Sequence, residues 1–230
     1  MMKTELNVLY EDNHIIVVVK PANTLSQADS TNDVDIMSQI KAYIKAKYNK
    51  EGNVFLGLVH RLDRRVSGVM VFAKTSKAAS RLSEQIRQHS VEKSYYAIVQ
   101  GKLNDVNTLR HYLKKVNLNN KNIAVISSVF DKEAKEAILK YKFIKSVTFD
   151  DETFTLLEVN LITGRYNQIR AQFAHLGYPL INDFKYGYRF NNYEDLLGLA
   201  CVGLRFNHPI TKERLSFNYI PSDGVWKKFN

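Results

Sequence analysis

Three short blocks of this 230-residue chain combine carboxylate, guanidinium and phenol groups at spacings that could do chemistry. The first is Val59-His60-Arg61-Leu62-Asp63-Arg64-Arg65-Val66-Ser67-Gly68, which sets one carboxylate among three arginines directly before a β-branched run. A nearby cation favours the ionised form of a carboxylate, and an ionised Asp can serve as nucleophile or base. The same residues would also suit a surface loop in which Asp63 simply forms ion pairs. The second block, Leu161-Ile162-Thr163-Gly164-Arg165-Tyr166-Asn167-Gln168-Ile169-Arg170, reads as a turn from a strand into a helix. It puts Arg165 beside a helix N-terminus, where anions are favoured, although ordinary capping with exposed Arg165 and Arg170 fits as well. The third is Lys93-Ser94-Tyr95-Tyr96-Ala97. Consecutive strand residues face opposite ways, so one of its tyrosines at most can serve a given site, and a core position suits either.

Other common machineries are missing. The chain has no GxGxxG or P-loop, no HExxH, no Gly-x-Ser-x-Gly, and a single cysteine, Cys201. That rules out a disulfide framework and a cysteine-based zinc site, and the six histidines are scattered, so no metal or nucleotide cofactor is expected. With 24% charged residues, ten Gly and four Pro, the composition is that of a globular chain. No apolar run approaches the ~20 residues of a membrane span, and the polar start from Met1 to Glu11 lacks a signal-peptide core. A cytoplasmic protein with no membrane association is the expectation.

The formal charge of +10 is uneven. Residues 60–103 carry nine basic and three acidic side chains, a net of +6, and residues 165–230 a net of +4. Residues 1–59 net −1 and residues 104–164 net +1. Clustered positive charge favours a polyanionic partner, because neutralising phosphates releases counterions.

The elements that must position the three blocks follow from periodicity. Leu6 to Lys20 reads as a hairpin ended by Pro21. Asp33 to Tyr48 has helical spacing, with Asp33 or Asp35 as cap. Val69 to Ala73 is a strand, and Thr75 or Ser76 caps a helix through Arg87. Strands follow at 94–99, at several places in 108–145 around the Asn-rich turn Asn117 to Asn122, and at 154–161. Asn167 to Leu176 forms a helix stopped by Gly177 and Pro179, and two last strands flank the turn His208-Pro209. Strands outnumber helices without regular alternation. The expected class is α+β, a largely antiparallel mixed sheet flanked by helices, in one domain over residues 1–230.

Taken in order, these blocks resemble the RluA-type pseudouridine synthases. The matching residues are Lys20-Pro21-Ala22, His60-Arg61-Leu62-Asp63 with Ser67-Gly68, Val71-Phe72-Ala73-Lys74 and Lys93-x-Tyr95-x-Ala97-x-Val99-x-Gly101. Thr163-Gly164-Arg165-x-x-Gln168-Ile169-Arg170, Asn182-Asp183, Tyr186-Gly187 and His208-Pro209 complete the set, so the likeness runs from about Leu6 to Tyr219.

The resemblance implies isomerisation of uridine to pseudouridine in ribosomal or transfer RNA by base flipping, without a cofactor, by a monomer. It implies Asp63 as the catalytic carboxylate, Arg165 as the arginine that pairs with it, and Tyr95 as the tyrosine that stacks on the flipped base. Ile169 would wall the uracil pocket, Arg61 would fill the space the base leaves, and His60, Lys93 and Arg170 would add substrate contacts. Independently of the resemblance, Arg64, Arg65, Lys74, Lys77, Arg81 and Arg87 could bind flanking phosphates, although the last four would equally suit a solvated helix face. The family often carries a preceding S4-type RNA-binding domain, and none is expected here. This chain departs from the family pattern at Asn23, Arg65, Val66 and Asn167. Two other readings stay open: an RNA-binding or assembly factor that kept the fold and lost catalysis, and a metal-dependent aspartate hydrolase.

Overall fold

A computed structural model describes residues 6–31, 33–118, 121–189 and 196–230. Asn119 and Asn120, the centre of the expected Asn-rich turn, lie outside the described residues. The chain divides into two compact units, residues 1–93 with 201–220, and residues 94–200 with 221–230.

The first unit opens with the expected hairpin, β1 (Val8–Glu11) and β2 (Ile15–Lys20). Asp12 makes its turn, since its Oδ1 accepts from the backbone N–H groups of His14 and Ile15, each at 2.7 Å. β2 lies antiparallel to β4 (Ser67–Ala73), and the two-residue strand β3 (Gly57–Leu58) also pairs with β4. Every residue of β2 and β4 is buried, in line with the apolar runs Ile15–Val19 and Val69–Ala73. The turn after residue 207 joins β10 (Leu199–Asn207) to β11 (Arg214–Asn218). His208 shapes it by accepting from Thr211 N–H at 2.9 Å through Nδ1.

Two helices cover this unit's strands. α1 (Ile36–Lys47) is capped by Asp35, which accepts from Ser38 N–H, and α2 (Ser76–Arg87) by Thr75, which accepts from Ala78 N–H. Ala78 and Leu82 of α2 meet Ile15, Val17, Val69, Val71, Leu204 and Phe206 in one apolar cluster. Each such buried aliphatic contributes roughly 1.5–3 kcal/mol. Gly68 is required by close approach: its φ is +138°, and a Cβ there would lie 2.3 Å from the Cys201 carbonyl oxygen.

Glu11 joins β1 to α1. Its carboxylate accepts from Lys47 at 2.8 Å, Lys74 at 2.6 Å and Tyr48 at 3.0 Å. Burial pushes this carboxyl up, but those hydrogen bonds outweigh it and bring it down to about 2. A carboxylate lower in the folded than in the unfolded chain stabilises the fold above its unfolded value, ~4.3, and loses that effect as pH falls through the folded value. The denaturation midpoint should therefore drop between pH 5 and pH 2, and drop less in Glu11→Gln. Equal slopes for the two proteins would contradict this.

The second unit is an antiparallel array in the order β5 (Glu92–Gln100), β9 (Glu152–Leu161), β8 (Lys135–Phe149), β6 (Val106–Leu118), β7 (Lys121–Ser127). β8 carries a register shift between Phe143 and Lys145. α3 (Gln168–His175) packs Ala171 against Leu113, Ala124 and Ala137 of β6, β7 and β8. Two 3-10 turns, Phe184–Tyr186 and Gly224–Phe229, had no periodic signal. The strand pairings within both units are antiparallel, in line with the expected α+β class. No helix of the described residues is long and apolar enough to cross a membrane.

Candidate active site

Asp63 sits on the irregular segment between β3 and β4, half-buried. Its Oδ1 accepts from Arg65 N–H at 3.0 Å and its carbonyl from Val66 N–H at 3.0 Å, so the carboxylate is fixed by its own tight turn. Both neighbours are anchored. Ser26 Oγ donates to the Leu62 carbonyl at 2.8 Å and accepts from Leu62 N–H at 3.2 Å. Lys20 Nζ donates to the carbonyls of Thr24 at 2.7 Å, Pro21 at 2.9 Å and Arg64 at 3.2 Å.

Lys20 is fully buried at the end of β2. Burial pushes its ammonium down to about 7, against an upward pull from the Asp63 carboxylate. Lys20→Met would leave the three carbonyls without their donor. At least a tenfold loss of turnover is expected, with little change in substrate affinity, because the change loosens the loop that carries Asp63. A wild-type rate in a folded Lys20→Met protein would exclude this positioning role.

His60, expected to touch substrate, is buried. Its Nε2 accepts from Val71 N–H at 3.2 Å. Burial, reinforced by Lys93, drives the ring well below the ordinary histidine range, so it is neutral. Burial also lowers Lys93, opposed by Cys201. Arg61 is exposed, and Arg64 reaches out to Asp33 at 2.8 Å.

In the second unit, Tyr95 is buried on β5, in register with Val159 of β9, while Tyr96 faces the other way. Arg165 follows β9 in a turn organised by the Gln168 side chain. Gln168 Oε1 accepts from Arg165 N–H at 3.0 Å and from Thr163 Oγ at 2.9 Å, and Thr163 Oγ in turn accepts from Ile138 N–H at 2.8 Å. The Arg165 guanidinium donates through Nε to the Glu136 carbonyl at 2.8 Å, which aims the remaining nitrogens. Asn167, where the family pattern has His, takes a left-handed φ of 49° and sends its amide to Tyr186 Oη at 3.2 Å.

Ile169 is buried on α3. Arg170, expected at the substrate, is 4% exposed and forms a two-pronged pair with Asp183, which is 0% exposed. Both prongs, Nε to Oδ2 and Nη2 to Oδ1, measure 2.7 Å. Tyr186 lies over the same guanidinium, 5.0 Å from its carbon to the ring centroid. The structure thus assembles Asp63 with Lys20 and Ser26 in one unit, and Arg165 with Gln168 and Glu136 in the other. In the sequence, Lys20, Gln168 and Asp183 are motif members to which no role attaches. The one cue to Lys20 is its place at the end of an apolar strand.

Comparison with known proteins bears on these blocks directly. Residues 14–175 match the family described as RNA pseudouridylate synthase. The chain is 33% identical to ribosomal large subunit pseudouridine synthase C of Buchnera aphidicola subsp. Baizongia pistaciae, over 96% of this chain and 68% of that protein. It is 34% identical to tRNA pseudouridine synthase C of Vibrio parahaemolyticus, over 99% of this chain and 95% of that protein. The solved structure of human RNA pseudouridylate synthase domain containing 4 shares its fold, with a TM-score of 0.73 at 20% identity, covering 93% of this chain and 87% of that one. With all three blocks inside the matched span, the chain belongs to the RluA-type RNA pseudouridine synthases.

Proposed function

We propose that this protein converts uridines of structured ribosomal or transfer RNA to pseudouridine, in the cytoplasm, as a monomer and without a nucleotide cofactor. The bond from uracil N1 to ribose C1′ breaks, the base turns over, C5 bonds to C1′, and the C5 proton is lost while N1 gains one, so substrate and product are isomers. A base inside a stacked helix is shielded, so the target uridine is flipped out at a cost of a few kcal/mol. Asp63 supplies the carboxylate, as nucleophile or as base, and Arg165 supplies positive charge to the reacting centre. Tyr95 stacks on the uracil, Ile169 walls its pocket, and Arg61 fills the vacated space. Lys93 adds a substrate contact, while His60 and Arg170, which already have protein partners, hold the segments that bear the reacting groups.

The observation that most supports this reading is the immobilised Asp63 turn, held from both sides by Ser26 and Lys20. An anchored carboxylate is what a group acting on one ribose carbon needs. The test is carbodiimide mapping of pseudouridine in total RNA from cells lacking the gene, before and after treatment with the purified protein in excess chelator. New stops at discrete uridines of ribosomal or transfer RNA are expected, and their absence from both would overturn the reading.

A further inference from the structure

Tyr166, next to Arg165, is 43% exposed and carries two lysine ammonium groups over its ring. Lys115 Nζ of β6 lies 5.2 Å from the ring centroid and Lys185 Nζ lies 5.5 Å from it. Lys185 also donates to the Tyr166 oxygen at 3.4 Å, and Tyr166 Oη donates to the Asn122 carbonyl at 3.3 Å. Three separate segments of the second unit therefore meet at one phenol.

Some other cations of this unit face carboxylates instead. Lys114 pairs with Asp131 and Glu133, Lys142 with Glu158, and Arg110 with Glu136. Among the described residues, neither Lys115 nor Lys185 has a carboxylate partner. Gathering two like charges on one exposed ring is unfavourable unless an anion joins them, and the aromatic face offsets only part of the repulsion. Ammonium groups are point donors suited to phosphate oxygens.

We infer that Lys115 and Lys185, held together by Tyr166, form a clamp for an RNA backbone phosphate close to the nucleotide that reacts. This rests on the RNA-modifying function proposed above and adds a positioning group to it. The partner is RNA and not an acidic protein, because the clamp adjoins Arg165, which the reaction itself requires.

The test compares wild type, the double variant Lys115→Gln/Lys185→Gln, and Lys114→Gln as a control whose lysine already has carboxylate partners. Binding to bulk unmodified tRNA transcripts is measured against salt, and steady-state kinetics are run on the same RNA where it is modified. In the double variant the slope of log affinity against log salt should shrink by about 0.7–0.9 for each phosphate that the protein no longer neutralises. KM should rise about tenfold with kcat within about twofold, and Lys114→Gln should match wild type. An unchanged slope in a double variant with a wild-type unfolding midpoint would overturn the clamp. The slope is read whether or not the RNA is modified, so that result stands apart from a failure to form pseudouridine.

Discussion

Asp63→Asn should abolish pseudouridine formation, by at least about a thousandfold, while leaving RNA affinity and the unfolding midpoint close to wild type. The expectation follows from how the residue is held. Its Oδ1 accepts from Arg65 N–H, and an Asn side-chain oxygen can accept the same bond. The loop anchors at Leu62 and Arg64 involve backbone carbonyls and do not change. What the variant lacks is an ionisable group able to attack carbon or take a proton, and losing a positioned nucleophile or base removes two to four orders of magnitude or more. Single-turnover assays with carbodiimide readout decide it, with filter binding in parallel. Residual activity within tenfold of wild type would move the chemistry away from Asp63.

The second large effect is on stability. Arg170→Met should cost about 3–5 kcal/mol, because it leaves the Asp183 carboxylate buried without its cation. For a chain of this size that lowers Tm by roughly 10 °C. The companion Arg170→Met/Asp183→Leu should recover most of the loss, since replacing both members of a buried pair by apolar groups is often near neutral. Calorimetry on the single and double variants measures the coupling. Equal destabilisation in both would mean that the pair matters through shape and not through charge. The single variant should also lose activity, because Arg170 holds Asp183 at the head of the 3-10 turn, and Tyr186 of that turn accepts from Ala124 N–H and Asn167 beside Arg165.

The Asp63 and Arg165 blocks were legible through their order and spacing, which resemble one family, whereas each block alone also suited a surface loop or ordinary capping. Asp63 and Arg165 stand out in a chain with little other chemistry, and the caps Asp35 and Thr75 follow from side-chain oxygens three residues ahead of an unpaired N–H. Burial of charge was not legible. A lysine closing an apolar strand ordinarily points to water, and only the folded loop shows three carbonyls waiting for Lys20. Arg170 is ambiguous for the same reason, since its partner lies thirteen residues on and no periodicity links them. The left-handed Asn167 and the two-residue β3 depend on tertiary contacts and leave no local pattern. The division into two compact units has no linker in sequence to mark it.

Lys20 also makes the Asp63 loop observable from outside. Its side chain is wholly enclosed and held by three carbonyls, so no acylating reagent reaches it in the closed loop. Its labelling must wait for the Asp63 segment to lift, so the rate of acylation at Lys20, followed by mass spectrometry against the exposed lysines, counts the openings of that segment. RNA that settles around Asp63 would slow the count, and the protein would then report on its own closure through a buried lysine.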